Sequence, residues 1–275
     1  MKILISIAAA LGLALGMGAD SVPSGATTLD LGYRAMYNLD FTGAHHDFKE
    51  WRQKHPDDAM GPVSDAAADL FSEFDRLHVL QSEFFIQDQS FFRHQQFLHP
   101  DPVVKREFES ALGDGQRIAD RVLAQSPENE NALLASVLGM GLQADYLALI
   151  EKRNLAALSE MKQSRSLAER LLARYPHCYD AYLAVGVENY LLSLKPAPVR
   201  WMLHLGGAET DKQTGIERLR ITAEKGHYLL PYARLLLAVA ALRDNDVATA
   251  RRLLTWLSTE FPGNPLYRAE LHKLK

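Results

Sequence analysis

The chain has 275 residues, 47% of them hydrophobic and 23% charged, with a formal net charge of −4 and a single cysteine. So mild an acidity argues against a phosphate-backbone partner, and no nucleic acid is expected. One Cys leaves no internal disulfide, so a buried core has to hold the fold, as one large domain or two ordinary ones.

The first element is not a structural one. Met1-Lys2 is followed by Ile3 to Leu15 without a charge and then by Gly16-Met17-Gly18-Ala19. An apolar run of about 13 residues is too short to span a bilayer but suits a secretory signal with a small-residue exit. The expectation is a signal peptide over residues 1–19, removed after Ala19, and an exported mature chain, periplasmic or extracellular, from residue 20 to 275. No transmembrane anchor is expected in the mature chain. A lipid anchor is not expected either, because no Cys follows the apolar run.

Phe41, Ala44, Phe48 and Trp51 then form one helical face that ends in "WRQKHPDDAM", with Pro56 as the stop. This helix carries His45, His46 and Asp47, the densest group among ten histidines. Neighbouring helical positions point about 100° apart, so His45 and His46 do not serve one ion from a rigid face. The chain lacks H-E-x-x-H, and His94 and His99, five apart before Pro100, are a weak pair. No metal and no cofactor are expected.

From Ser64 to Leu98 the pattern reads as one long helix. Leu70, Leu77, Phe84, Phe91 and Leu98 recur every seven residues, with Phe71, Phe74, Leu80, Phe85 and Phe92 beside them. Such a stripe is core material, or alternatively the wall of an apolar groove formed by Phe84, Phe85, Phe91 and Phe92. Gln81, Asp88 and Gln95 would be the polar rim of that groove.

Further on, "LAQSPENENA" (123–132) and "LARYPHCYDA" (172–181) share Leu-Ala-x-x-Pro and then four residues to Ala. Ala119, Val122 and Leu123 lead into the first, and Ala168, Leu171, Leu172 and Tyr175 into the second. Pro56, Pro127, Pro176 and Pro262 are separated by 71, 49 and 86 residues. The first gap fits about two 34-residue helix hairpins, and the others call for longer helices or extra turns. Degenerate helical repeats are expected, with an irregular helical bundle as the other reading. Cys178, just after Pro176-His177, has no activating neighbours in sequence and reads as buried or inert.

In "ENYLLSLKPAPVRWM" (188–202), two prolines fix a bend, and Tyr190, Arg200 and Trp201 are residue types that anchor interfaces. Asn189, Tyr190, Arg200 and Trp201 are therefore the candidate partner-binding residues. The other reading packs Tyr190 and Trp201 into a joint between helical layers. "LHLGGAETDKQTG" (203–215) suggests a phosphate loop, but Lys and Ser/Thr do not follow the glycines as G-x-x-x-x-G-K-[ST] requires, and G-x-G-x-x-G is missing too. Gly206-Gly207 reads instead as a helix end. Thr210 to Gln213 and Thr214 to Glu217 read as capping boxes, with Ile216, Leu219 and Ala223 as the buried face of a helix closed by Gly226.

Residues 186–242 resemble a segment of the tetratricopeptide-repeat protein 39 family and its bacterial relatives, through Tyr190 and Leu194 before Pro196, Gly207 to Asp211, and Gly215-Ile216-Glu217-Arg218-Leu219 with Ala223 and Gly226 behind. The resemblance covers about the last third, and the first hundred residues match loosely. It implies a non-enzymatic helical-repeat protein, linked in eukaryotes to lipid handling and clearance, and carries over no catalytic residue. The export signal departs from the eukaryotic members, so a shared cellular role does not follow.

Finally, Leu229 to Leu242 is apolar nearly throughout, as in a helix buried on most of its circumference. Arg243-Asp244-Asn245-Asp246 makes a turn. Ala250, Leu253, Leu254, Leu257 and Phe261 share the next helical face before Pro262.

The reading is an all-α solenoid of tetratricopeptide-like hairpins with one long helix in the N-terminal half. It is expected to be no enzyme but a scaffold or adaptor binding a protein or peptide on a concave helical surface. The alternative is a carrier of a lipid or other apolar small molecule in a helix-lined cavity.

Overall fold

The computed structural model describes residues 25–79, 99–194 and 211–274. The expected signal peptide, residues 1–19, and Phe84, Phe85, Asp88, Phe91, Phe92, Arg200 and Trp201 lie outside them. The described residues are all-helical, with eleven α-helices: α1 Thr28–Tyr37, α2 Phe41–Lys54, α3 Met60–Arg76, α4 Pro102–Gln125, α5 Glu130–Asp145, α6 Asn154–Arg174, α7 Tyr182–Ser193, α8 Lys212–Lys225, α9 Leu230–Arg243, α10 Val247–Glu260 and α11 Pro265–Lys273. A π-helical turn, Tyr146–Ile150, extends α5, and a 3₁₀ turn, Tyr179–Ala181, leads into α7.

Two kinds of corner recur. Helices α2, α4, α6 and α10 end on His55, Ser126, Tyr175 and Phe261, all with φ between −137° and −123° and ψ between 67° and 81°, and each stands just before a Pro. Proline forces this geometry, since it excludes the helical region for the residue before it. Each corner is then closed by a bond from the N–H three residues on: Asp58 to His55 O (3.0 Å), Asn129 to Ser126 O (2.9 Å), Cys178 to Tyr175 O (3.0 Å) and Asn264 to Phe261 O (3.1 Å). Asn129 and Asn264 also cap the next helix, accepting from the N–H of Ala132 and Leu266.

The second corner has a left-handed residue. Leu39 (φ 62°), His78 (φ 58°) and Asn245 (φ 59°) follow α1, α3 and α9. In each case the next N–H reaches back five residues: Asp40 to Ala35 O, Val79 to Phe74 O and Asp246 to Ala241 O, at 2.7–2.9 Å. Asp40 and Asp246 then cap α2 and α10. The single helix expected from Ser64 to Leu98 is thus broken after Arg76. Seven-residue spacing of Leu70 and Leu77 survives a turn between them and the next apolar residues, and His is among the residue types that tolerate the left-handed region. The chain re-enters beside its exit, because the buried Glu73 carboxylate accepts from the N–H of Asp101 (2.8 Å) and from Arg76.

Every described helix packs on the described helix before and after it, and α1 with α3, α3 with α5, and α5 with α7 also meet, so those odd-numbered helices adjoin one another. At the joint of α7 on α8, glycines bring two backbones together. A side chain at Gly215 would stand 2.5 Å from the Tyr190 backbone N, and one at Gly186 would stand 2.9 Å from that of Leu219, so only glycine fits either position. Helix α8 starts on Asp211, whose carboxylate accepts from Thr214 N–H (2.6 Å); neither Thr214 nor a capping box opens it. Gly226 does close it. Leu219 and Ala223 are buried and Ile216 is half-buried; α9 is buried nearly all round, and Ala250, Leu253, Leu254, Leu257 and Phe261 form the buried face expected of them.

Helix α1 and the turn after it meet the C-terminal described segments. Arg34 donates to Glu260 (2.7 Å), Gly263 N–H to Asn38 Oδ1 (2.9 Å), Asn264 Nδ2 to Tyr37 O (3.1 Å) and Tyr37 OH to Tyr228 O (2.9 Å). The Tyr33 ring stacks on Tyr228 at 4.6 Å, and Tyr37 meets Phe261 at 5.4 Å. Residues Glu130–Ile150 are long and apolar enough by composition to cross a membrane. Here that apolarity is used inside the protein, since α5 is wrapped by α3, α4, α6 and α7.

Candidate functional site: a central apolar pocket

The pocket lies where the odd-numbered helices face one another. Each supplies a helical stripe: Tyr33, Met36 and Tyr37 from α1, Val63, Ala67 and Phe71 from α3, Val137, Leu138, Gly141, Leu142 and Asp145 from α5, and Leu183, Ala184 and Val187 from α7. Met161 and Ser164 come from α6, and Leu229 and Tyr232 from the start of α9. It opens in part to solvent and has a cavity volume of ≈ 80 Å³.

Its polar groups divide into two sets. Tyr33 accepts a bond from Ser64 (2.9 Å), Tyr37 donates to the Tyr228 carbonyl (2.9 Å), and Ser164 donates to the Val137 carbonyl (2.9 Å). These are partnered inside the protein. Asp145, the one charged residue among the described residues lining the pocket, receives one long bond from them, from Tyr232 OH at 3.5 Å. It sits deep in the molecule, yet its residue is only half-buried because it faces the pocket space. Burial pushes its carboxyl up to about 7, against a small opposing effect of the Tyr232 bond. The π-helical turn begins at the next residue, and such turns gather at functional sites.

A second polar constellation lies between α2 and α3. His45 Nδ1 meets Asp65 at 2.6 Å and its Nε2 meets Asp69 at 3.4 Å, while Arg52 bridges Asp65 (3.0 Å) and Asp114 (2.7 Å). The Asp65 hydrogen bond raises His45, and burial pushes Asp69 up to about 7. Both ring nitrogens are thus occupied, so His45 cross-links two helices. His46 turns away to Asp47 (3.1 Å). His46, Asp47 and Glu50 have ligand atoms within 4.8 Å of one another on the surface, where Glu50 is already held by Lys54.

Asn189 and Tyr190, proposed from sequence to bind a partner, are both buried, each with 2% of its surface exposed. Asn189 donates to Val185 O and accepts from Asp211 N–H (3.3 Å), which fixes the start of α8. Cys178 is buried, and its thiol is pushed up to about 12 by that burial. It is protonated at neutral pH.

Sequence reasoning passed over Asp145, although a signal was present: it is the lone charge between Asn131 and Ile150 in an otherwise apolar or neutral stretch. It also passed over Asp180, whose buried carboxylate accepts from the N–H of His227, Tyr228 and Leu229 at 2.9–3.1 Å. That carboxylate fastens the connector into α9, whose own N-cap residue, Leu229, has no capping side chain. No family model, curated protein or solved structure matches the chain.

Proposed function

We propose that this chain is an array of tetratricopeptide-like hairpins that binds an apolar small molecule in its central pocket. The two recurring corners support the repeat reading: α1–α2, α3–α4, α5–α6, α7–α8 and α9–α10 are then five hairpins, with α11 as a terminal cap. The observation that carries the binding reading is the lining itself, in which one stripe from every first helix converges on a mostly apolar space. Binding sites are typically such concave apolar spaces with a few polar groups.

Contact between α1 and the α9–α11 end favours a small ligand over an extended peptide. A peptide groove of the kind expected from sequence needs a continuous open inner face, and here the first and last hairpins meet across it. On this reading the protein is an exported carrier or receptor rather than a scaffold or an enzyme.

The test is a pocket-filling variant. A Cβ at Gly141 would have Ser164 Oγ as its nearest neighbour at 4.0 Å, so the position admits a side chain that grows into the pocket. Gly141→Leu is expected to keep the fold and to weaken binding of the fluorescent apolar probe N-phenyl-1-naphthylamine at least tenfold. Unchanged probe binding in a folded Gly141→Leu protein rules out this pocket. Native mass spectrometry of the mature protein from its own host adds the natural occupant: a retained small-molecule mass supports the carrier reading, and a retained polypeptide supports the scaffold.

A further inference from the structure

A pocket lined mostly by apolar groups selects its ligand through its few polar atoms. Fatty acids and anionic lipid headgroups carry a negative charge, and nothing among the described lining residues offers a cation to receive it. The one charged residue among the described lining residues is Asp145. Tyr33, Tyr37 and Ser164 are bonded elsewhere, and among the described residues its one hydrogen bond, from Tyr232 OH, is at the outer limit of length. A carboxyl in this position has unused acceptor capacity aimed at the ligand space, and a buried acceptor without a donor is costly.

We propose that the pocket is a site for lipophilic primary amines, whose alkyl or aryl part fills the apolar space while the ammonium group donates to Asp145 and Tyr232 OH. This rests on the pocket being a ligand site at all. A charge-assisted bond in an apolar enclosure is stronger than its neutral counterpart, so an alcohol of the same shape binds less well. A carboxylate of the same shape meets Asp145 with like charge and binds least. Lipids with anionic headgroups are thereby excluded as the preferred occupants.

Other elements around Asp145 do not compete for it. Facing the pocket from α1 are Tyr33 and Tyr37, from α6 Ser164 and from α9 Tyr232, with no ionised group from α3 or α7 among the described lining residues. Burial raises its carboxyl, and the Tyr232 bond opposes that rise. The preference for an amine over an alcohol is therefore expected to grow as pH rises from about 5.5 to 8.5 and Asp145 ionises, since an alkyl amine stays protonated over that range.

The experiment is titration of the mature protein with octylamine, octan-1-ol and octanoate by calorimetry at pH 7.5. The expected order is amine at least tenfold tighter than alcohol and at least 100-fold tighter than octanoate. Asp145→Asn is expected to bring the amine down to the level of the alcohol while the alcohol is unchanged. Should Asp145→Asn fail to fold, the amine-to-alcohol ratio of the wild type at pH 5.5 and 8.5 decides alone. Equal binding of amine and alcohol, or octanoate binding as tightly as the amine, overturns the ammonium site and leaves the apolar pocket standing. If none of the three binds and Gly141→Leu does not weaken the naphthylamine probe, the pocket reading falls with it.

Discussion

Asp145→Asn makes a further prediction that needs no ligand. The carboxyl is raised from 3.8 to about 7 in the folded protein, so between those values the native state holds a proton that the unfolded chain has released. Stability then falls as pH rises, because the folded state binds more protons there. Integrated from pH 5 to pH 8.5, the loss is roughly 2–3 kcal/mol, and water in the pocket, by screening the charge, sets that figure as the upper end. An asparagine of the same shape has no such loss.

The measurement is urea unfolding of wild type and variant at both pH values. Between pH 5 and pH 8.5 the wild type should lose roughly 2–3 kcal/mol relative to the variant, on top of whatever offset the two show at pH 5, where the unfolded wild-type carboxyl is already mostly ionised. His45 and Asp69 titrate in both proteins alike, so they cancel in the comparison. A stability difference that does not change with pH would mean that Asp145 is solvated like a surface carboxylate, and the argument from its desolvation would be wrong.

Other outcomes test the packing. Gly215→Ala, which drives a methyl against the Tyr190 backbone, should cost about 1–3 kcal/mol by forcing α7 from α8, read as a lowered urea midpoint; a midpoint equal to wild type would show that the joint gives way freely. Asp180→Ala strands the N–H groups of His227, Tyr228 and Leu229 and should cost about 2–4 kcal/mol, with a loss below about 0.5 kcal/mol refuting its role. At the contact of α1 with the C-terminal described segments, the part-exposed Arg34–Glu260 pair should matter little, about 0–1 kcal/mol on Arg34→Ala. Asn264→Ala removes a buried bond to Tyr37 O and the α11 cap and should cost more, about 1–3 kcal/mol; the reverse order would place the closure in the ion pair. Cys178, buried and protonated, should react with a disulfide reagent at pH 8 at least 100-fold more slowly than in the unfolded chain, and rapid labelling of the folded protein would contradict its burial.

Much of the architecture was legible in the residues. Helical periodicity over Ala250, Leu253, Leu254 and Leu257, an apolar α9, and Pro after α2, α4, α6 and α10 are local signals, and the structure reproduces them because each acts within one or two turns of chain. Proline removes helical conformations for its predecessor, and an i, i+3, i+4 stripe buries one face wherever the helix lies. The end of α3 was not legible, since seven-residue spacing is blind to a left-handed residue such as His78. Asp211 rather than Thr214 opens α8 for a similar reason: several residues in a row have cap chemistry, and packing of Gly215 against Tyr190 selects the register.

By itself the sequence determined an all-helical chain, its Pro-marked corners and the faces its helices bury, because these depend on backbone sterics and on the period of apolar residues. Tertiary structure alone decided that α1 meets the C-terminal helices, that Asn189 and Tyr190 are buried, and that Asp145 faces a shared apolar space. Those facts join residues up to 227 positions apart. A lone aspartate at the end of an apolar helix reads the same whether it meets water, an arginine or a cavity, and only the placement of five helices around it says which.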